Sequence, residues 1–229
     1  MFDVFYKGET IDLIVPTREL AVESSWYSWF NSQQTTKYTD HGVFPNTVER
    51  QETFFDTLSN GTRFALLMRM KGRNAPSGVV SLSSIDFRKG SAALAIVTDT
   101  TATPSIPPFA SLEAVAIVTK HGFDVMGLKR IESGQAYPAL AKWNQMLEIL
   151  GYRTEGFRRK AFSRGRLTSD VVMMACLLEN FIKLDDSRQG SFWPGAAAVR
   201  GMIRALPKTS FAERVNKAIE EIENDYFQD

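Results

Sequence analysis

Apolar side chains occupy every second position at the start of the chain: Phe2, Val4 and Tyr6, then Ile11, Leu13 and Val15, interrupted at Lys7-Gly8-Glu9. A period of two places them on one face of extended chain, which predicts an opening strand or hairpin. The spacing changes after residue 17. Leu20, Val22, Trp26, Trp29 and Phe30 recur at roughly helical intervals over residues 18–30, with Thr17 available as N-cap. A second helix is predicted beyond the loop 40–45, capped by Asn46 with Glu49 closing a capping box, and with Phe54, Phe55 and Leu58 as its apolar side. Residues 63–70 and 78–87 read as two strands around the turn-rich stretch 71–77, and residues 92–97 as a third. A strongly apolar helix over 110–125, a strand over 130–136, a helix over 138–150 and a hairpin of 154–162 with 168–177 complete the pattern.

Grouped strands followed by alternation imply an α+β protein with a mixed central sheet of about six to seven strands flanked by helices. Strands 92–97 and 130–136 should be parallel neighbours, because a helix of crossover length separates them. Near residue 179 the texture changes: residues 185–191 read as linker and Trp193-Pro194-Gly195 as a turn. Two helices are predicted beyond it, 196–206 and one opened by Ser210, with Phe211, Val215, Ile219 and Ile222 on a single stripe. This reading divides the chain into a domain at 1–178 and a helical extension at 179–229. The stripe would pack on the domain or on a second copy in a homodimer.

Composition narrows the function classes. Of 229 residues, 44% are hydrophobic and 23% charged, as in ordinary globular proteins. Lysine plus arginine number 27 against 26 aspartates and glutamates, so no global charge attracts nucleic acid or an anionic membrane. Any anionic ligand must be held locally. Cys176 is the single cysteine, which rules out an intrachain disulfide and suits a reducing compartment; its apolar neighbours predict burial. Two histidines and one cysteine do not make a zinc site, so no metal is expected. The start lacks a signal-peptide pattern and no run reaches membrane-spanning length, which makes the cytoplasm the expected location.

Three strings in order resemble the GNAT superfamily, in particular its branch of ribosomal-protein N-terminal and nucleotide-amino-sugar acetyltransferases. They are Trp29-Phe30-Asn31 with Thr36-Lys37-Tyr38 and Thr47-Val48-Glu49; Glu113-Ala114 through Gly122-Phe123 to Gly127-Leu128-Lys129-Arg130-Ile131; and Leu150-Gly151-Tyr152-Arg153-Thr154-Glu155-Gly156-Phe157-Arg158-Arg159. The resemblance covers about residues 9–178. It implies an acyltransferase that moves an acetyl or other acyl group from acyl-CoA to a primary amine. Strand 92–97 would splay from its neighbour to receive the pantetheine arm, with backbone N–H groups near Val97 and Thr98 facing the oxyanion. The next helix N-terminus would take the pyrophosphate.

The chain departs from that pattern in two places. Where the family carries a glycine-rich phosphate loop, this sequence reads Ile106-Pro107-Pro108-Phe109-Ala110-Ser111. Two prolines remove donors and Phe109 replaces a glycine, which leaves Ala110, Ser111 and Leu112 as the expected anion contacts, with Phe109 turned outward or against the adenine. In the helix 138–150 the positions of the family's polar residues hold Leu140, Trp143 and Leu147; Asn144 and Tyr137 are the nearest polar replacements. Asn144 reads equally as an exposed helix residue and Tyr137 as a loop aromatic. For the base, His41 is the first candidate and Asp99 the second, although a surface histidine without a role fits His41 too. The strings 36–38 and 41–45 are similar to members acting on amino sugars, which places a nucleotide-linked amino sugar first as acceptor, a small amine such as an antibiotic second and a protein N-terminus third. A scaffold protein that has lost the donor site, or an enzyme using another acyl donor, is the alternative that the proline pair supports.

Overall fold

The opening alternation folds as a hairpin of β1 (Val4–Lys7) and β2 (Ile11–Ile14), paired antiparallel. Its turn needs a glycine: a Cβ on Gly8 would collide with Glu113 Oε1 and the Ile11 carbonyl. The Glu113 carboxylate, 1% exposed, accepts hydrogen bonds there from the Glu9 and Thr10 N–H groups and from the Thr10 hydroxyl. These contacts come from a computed structural model that describes residues 2–102 and 105–227.

The helix predicted over 18–30 is two helices, α1 (Arg18–Glu23) and α2 (Trp26–Trp29). Ser24 breaks it: its hydroxyl donates to the Leu20 carbonyl at 2.5 Å and accepts from Trp26 N–H at 3.1 Å, competing with the helical ladder. Thr17 caps α1 as expected. The cap of α3 (Val48–Asp56) is Thr47, whose hydroxyl accepts from Arg50 N–H. Asn46 serves the preceding loop instead, pairing with Asn31, the Tyr27 carbonyl and Gln51.

The remaining elements are β3 (Phe64–Met70), β4 (Gly78–Asp86), β5 (Ser91–Thr98), α4 (Pro108–Asp124), β6 (Arg130–Tyr137), α5 (Ala141–Glu148), β7 (Arg153–Arg164), β8 (Leu167–Leu177), α6 (Leu178–Ser187), α7 (Ala196–Arg204) and α8 (Phe211–Tyr226). Among the described residues one mixed sheet of eight strands runs β1-β2-β3-β4-β5-β6-β8-β7, one or two more than expected because both arms of the opening hairpin join it. Every pairing is antiparallel except β5 with β6, the parallel pair predicted from the crossover helix. That pair is short. Only Ser91, Ala92 and Ala93 face Arg130, Ile131 and Glu132, and beyond them the strands separate.

Alternation along the strands divides the core between the two sheet faces. Ala65, Leu67 and Val79 pack with Trp26, Trp29 and Phe30 under α1–α3, whereas Leu66, Met68, Val80 and Leu82 pack against α4 and α5. The larger core continues without a break past residue 178. Phe181, Phe192, Val199 and Ala212 belong to it, and Phe123 stacks on Phe181 at 4.9 Å. The expected linker at 185–191 is therefore partly helix, its first residues closing α6. The stripe expected on α8 is mis-phased: Ala212 is buried and Val215 and Ile219 are half-buried, but Phe211 and Ile222 are exposed. The small Ala212 lets the helix approach the protein closely, and this sets which face turns inward. Cys176 is buried against the Leu150 carbonyl, and desolvation pushes its thiol up to about 12, far from a reactive thiolate. No helix among the described residues is long and apolar enough to cross a membrane, and no cluster of His, Cys, Asp or Glu there could hold a metal.

Candidate active site

β5 builds the site because its two edges differ. Asp99 N–H donates to the Ser77 carbonyl, and Val97 lies opposite Val79 in the same ladder. Since N–H groups alternate sides along a strand, the Val97 N–H is committed to β4, while those of Ile96 and Thr98 point to the side where β6 has separated. Of the two expected oxyanion donors, Thr98 therefore remains in place and Val97 does not.

The face of β5 next to α3, which carries Ala95 and Val97, forms one wall of a pocket of about 250 Å³ that also touches Ile96. Val79 and Ser81 of β4 extend that wall. The loop carrying Asp40, His41 and Phe44 closes it from above, and Arg50, Gln51, Phe54 and Arg63 close it from the side. His41 sits at the rim with its ring 4.6 Å from that of Phe30. Although part of its surface meets solvent, desolvation holds its pKa below the ordinary histidine value; Asp40 raises it and Arg63 lowers it further. The lowered proton affinity favours the neutral imidazole, the form a general base must have.

Sequence reasoning missed the device that fixes this loop. Arg164, at the end of β7, donates through Nη1 to the Thr39 and His41 carbonyls and through Nη2 to Thr36 Oγ1 and the Gly42 carbonyl. Gly42 has φ +78°, and a Cβ there would meet Thr36 Oγ1 and the Arg164 guanidinium. The chain offered only a turn at 163–166 as a signal. Arg50, Gln51 and Arg63 were missed as well, since in sequence they read as helix surface and loop.

The other candidates lie outside the pocket lining. Asp99 Oδ1 accepts from the Thr101 N–H at 2.9 Å and the Thr101 hydroxyl at 2.6 Å, so this buried carboxylate organises the turn after β5 rather than facing the pocket. Tyr137 ends β6 edge-on to Phe157, and desolvation with Glu213 and Glu220 of α8 raises its pKa, so it keeps its proton. Asn144 is fully buried on α5 with both Oδ1 and Nδ2 unpaired among the described residues, which excludes the exposed-residue reading. A buried amide with neither atom satisfied is unusual and suits a ligand that offers both a donor and an acceptor.

The helix N-terminus corrects the expected phosphate site. Pro107 and Pro108 carry no N–H, and those of Ala110 and Ser111 both donate to the Pro107 carbonyl at 3.0 and 3.1 Å. Ala110 and Leu112 are fully buried and Ser111 is 6% exposed. Of the first turn, only the Phe109 N–H is left unused by this pairing. Arg200 of α7 lies over the Phe109 ring at 4.1 Å, so the ring is covered by the extension rather than turned outward. These residues fit the arm of an acyl-CoA through the β5 edge and Asn144, but they do not form a backbone cradle for its phosphates.

Neither a protein-family model nor a curated protein sequence matches the chain. Solved structures do. A spermidine N-acetyltransferase from Vibrio cholerae in complex with CoA and spermine superposes with a TM-score of 0.66 at 16% identity, covering 76% of this chain and 98% of that one. RimJ of Mycobacterium smegmatis in complex with CoA-disulfide gives 0.63 at 15%, covering 77% and 88%, and a GNAT-family acetyltransferase from Bacillus anthracis gives 0.60 at 22%, covering 78% and 99%. The mixed sheet opened between β5 and β6, with α4 crossing between them, is thus the GNAT acetyltransferase fold.

Proposed function

We propose that the protein is an N-acyltransferase that moves an acetyl group from acetyl-CoA to a primary amine, with an amino sugar carried on a nucleotide as its acceptor. The observation that carries this reading is the double use of β5: Ala95, Ile96 and Val97 line the acceptor pocket, and the same end of the strand, beyond Ala93, leaves its edge toward β6 open. A reaction joining two substrates needs such a shared wall, because proximity supplies much of the rate. When bound, acetyl-CoA supplies the thioester carbonyl as electrophile. His41 Nδ1 or Nε2 takes the proton that the incoming ammonium must lose, the Thr98 N–H points toward the developing oxyanion, and Asn144 orients the donor arm through its unpaired amide donor and acceptor. Tyr137 keeps a proton at the end of β6.

Titrating the protein with acetyl-CoA tests the reading. Saturation at about a hundred times the dissociation constant should stabilise the fold by roughly 2.7 kcal/mol, and thiol release should follow when an amino sugar nucleotide is added. No stabilisation at millimolar acetyl-CoA would favour the second reading, a scaffold with the same fold. The observation favouring that one is specific: Pro107, Pro108 and the self-paired first turn of α4 offer phosphates a single N–H.

A further inference from the structure

Gln51 is the least explained polar side chain in the pocket. It is 1% exposed; Oε1 accepts from Asn46 Nδ2 at 2.9 Å, but Nε2 has no partner among the described residues. A buried amide donor left unpaired is costly, and this one lines a cavity that could bring it an acceptor. Two cations share that cavity. Arg63 stacks over the Phe54 ring at 5.1 Å, and Arg50 donates to the Pro45 carbonyl and lies over Phe44. Neither guanidinium joins an ion pair among the described residues, so both keep donors for a ligand. Against these two positive groups the lining sets one carboxylate, Asp40.

We infer that this wall is an anion subsite in which Gln51 Nε2, Arg63 and Arg50 hold a phosphate or carboxylate group of the acceptor while its amine faces β5. The inference rests on the pocket being the acceptor site. Its chemistry follows from the donors: a guanidinium fork matches the paired oxygens of either group, and the amide adds a third directed hydrogen bond. Such a site selects amines that carry an acidic group and disfavours a purely cationic polyamine, which would bring like charge to Arg50 and Arg63.

Two measurements test it. First, inorganic phosphate at constant ionic strength should raise the melting temperature of the wild-type protein. The shift should vanish in Gln51→Glu, which keeps the Asn46 contact and reverses the amide's role, and in Arg63→Gln; Arg63→Lys, which keeps the charge, should retain part of it and so guard against misfolding. Second, glucosamine, glucosamine 1-phosphate and glucosaminic acid compare a hydroxyl, a phosphate and a carboxylate on one amine. The preferred anion should exceed glucosamine at least tenfold in kcat/KM, and Arg63→Gln should bring that ratio toward one. No phosphate shift in the wild type, or an equal shift in wild type and both variants, would overturn the subsite. A shift that behaves as expected while none of the three amines is acetylated would uphold the subsite and count against the acyltransfer reading.

Discussion

His41 stands at the pocket rim with a proton affinity lowered by its apolar surroundings. If it is the base, kcat/KM should rise with pH through an apparent pKa below 6.5 and be level at neutrality. His41→Ala should remove that rising limb and slow turnover by about a hundredfold or more; a pH–rate profile of both proteins checks this. His41 stood out in the sequence by residue type, and Asn144 only as the nearest polar residue to positions that the family fills with polar side chains; its burial came from the fold alone. Arg164 was not. Its partners lie more than 120 positions away, and only the sheet order brings the β7–β8 turn to the loop at 36–42. The reverse held for Ala110 to Leu112: the sequence placed a helix start there correctly, but which N–H groups the helix spends on itself depends on where its first turn begins.

Among the elements, the strands from β3 onward and the long helix followed from the apolar pattern, since each runs for seven or more residues. Short helices and caps did not, because one serine or threonine decides them, as Ser24 and Thr47 show. The phase of α8 was illegible for a different reason: its inward face is chosen by α5 and β7, not by its own largest side chains. The extension adds a further tie. Glu9 Oε2 accepts from the Ala196 N–H at 2.6 Å and from Trp193 Nε1 at 3.1 Å, so a side chain of the first hairpin caps α7. Replacing it by alanine should cost about 1 kcal/mol, the scale of a helix cap, read as a lower urea midpoint with unchanged slope. Phe192, 1% exposed within the main core, is a larger stake. Phe192→Ala should cost about 3–5 kcal/mol in the same measurement.

Over the whole molecule these ties set the response to acid. His41 and His121 both have pKa values lowered by burial, His121 while bonded to Tyr6 and stacked on Phe64. The unfolded chain therefore binds protons that the folded one resists, and stability falls as pH drops through 6.5 toward the folded values. Glu9 and Glu155 are lowered by their hydrogen bonds to Ala196 and Arg130, and their contribution, present above 4.5, is lost as pH falls through their folded values. Calorimetry across pH should show two successive declines in melting temperature, and His121→Gln should shrink the first. The bond from Ala196 to Glu9 has a last consequence, in time. It spans 187 positions, so at 5–20 residues per second a ribosome delivers the two ends roughly 10–40 s apart. Through that interval the nascent sheet carries its first hairpin with the partner still unmade, and this tie closes only after Ala196 has emerged.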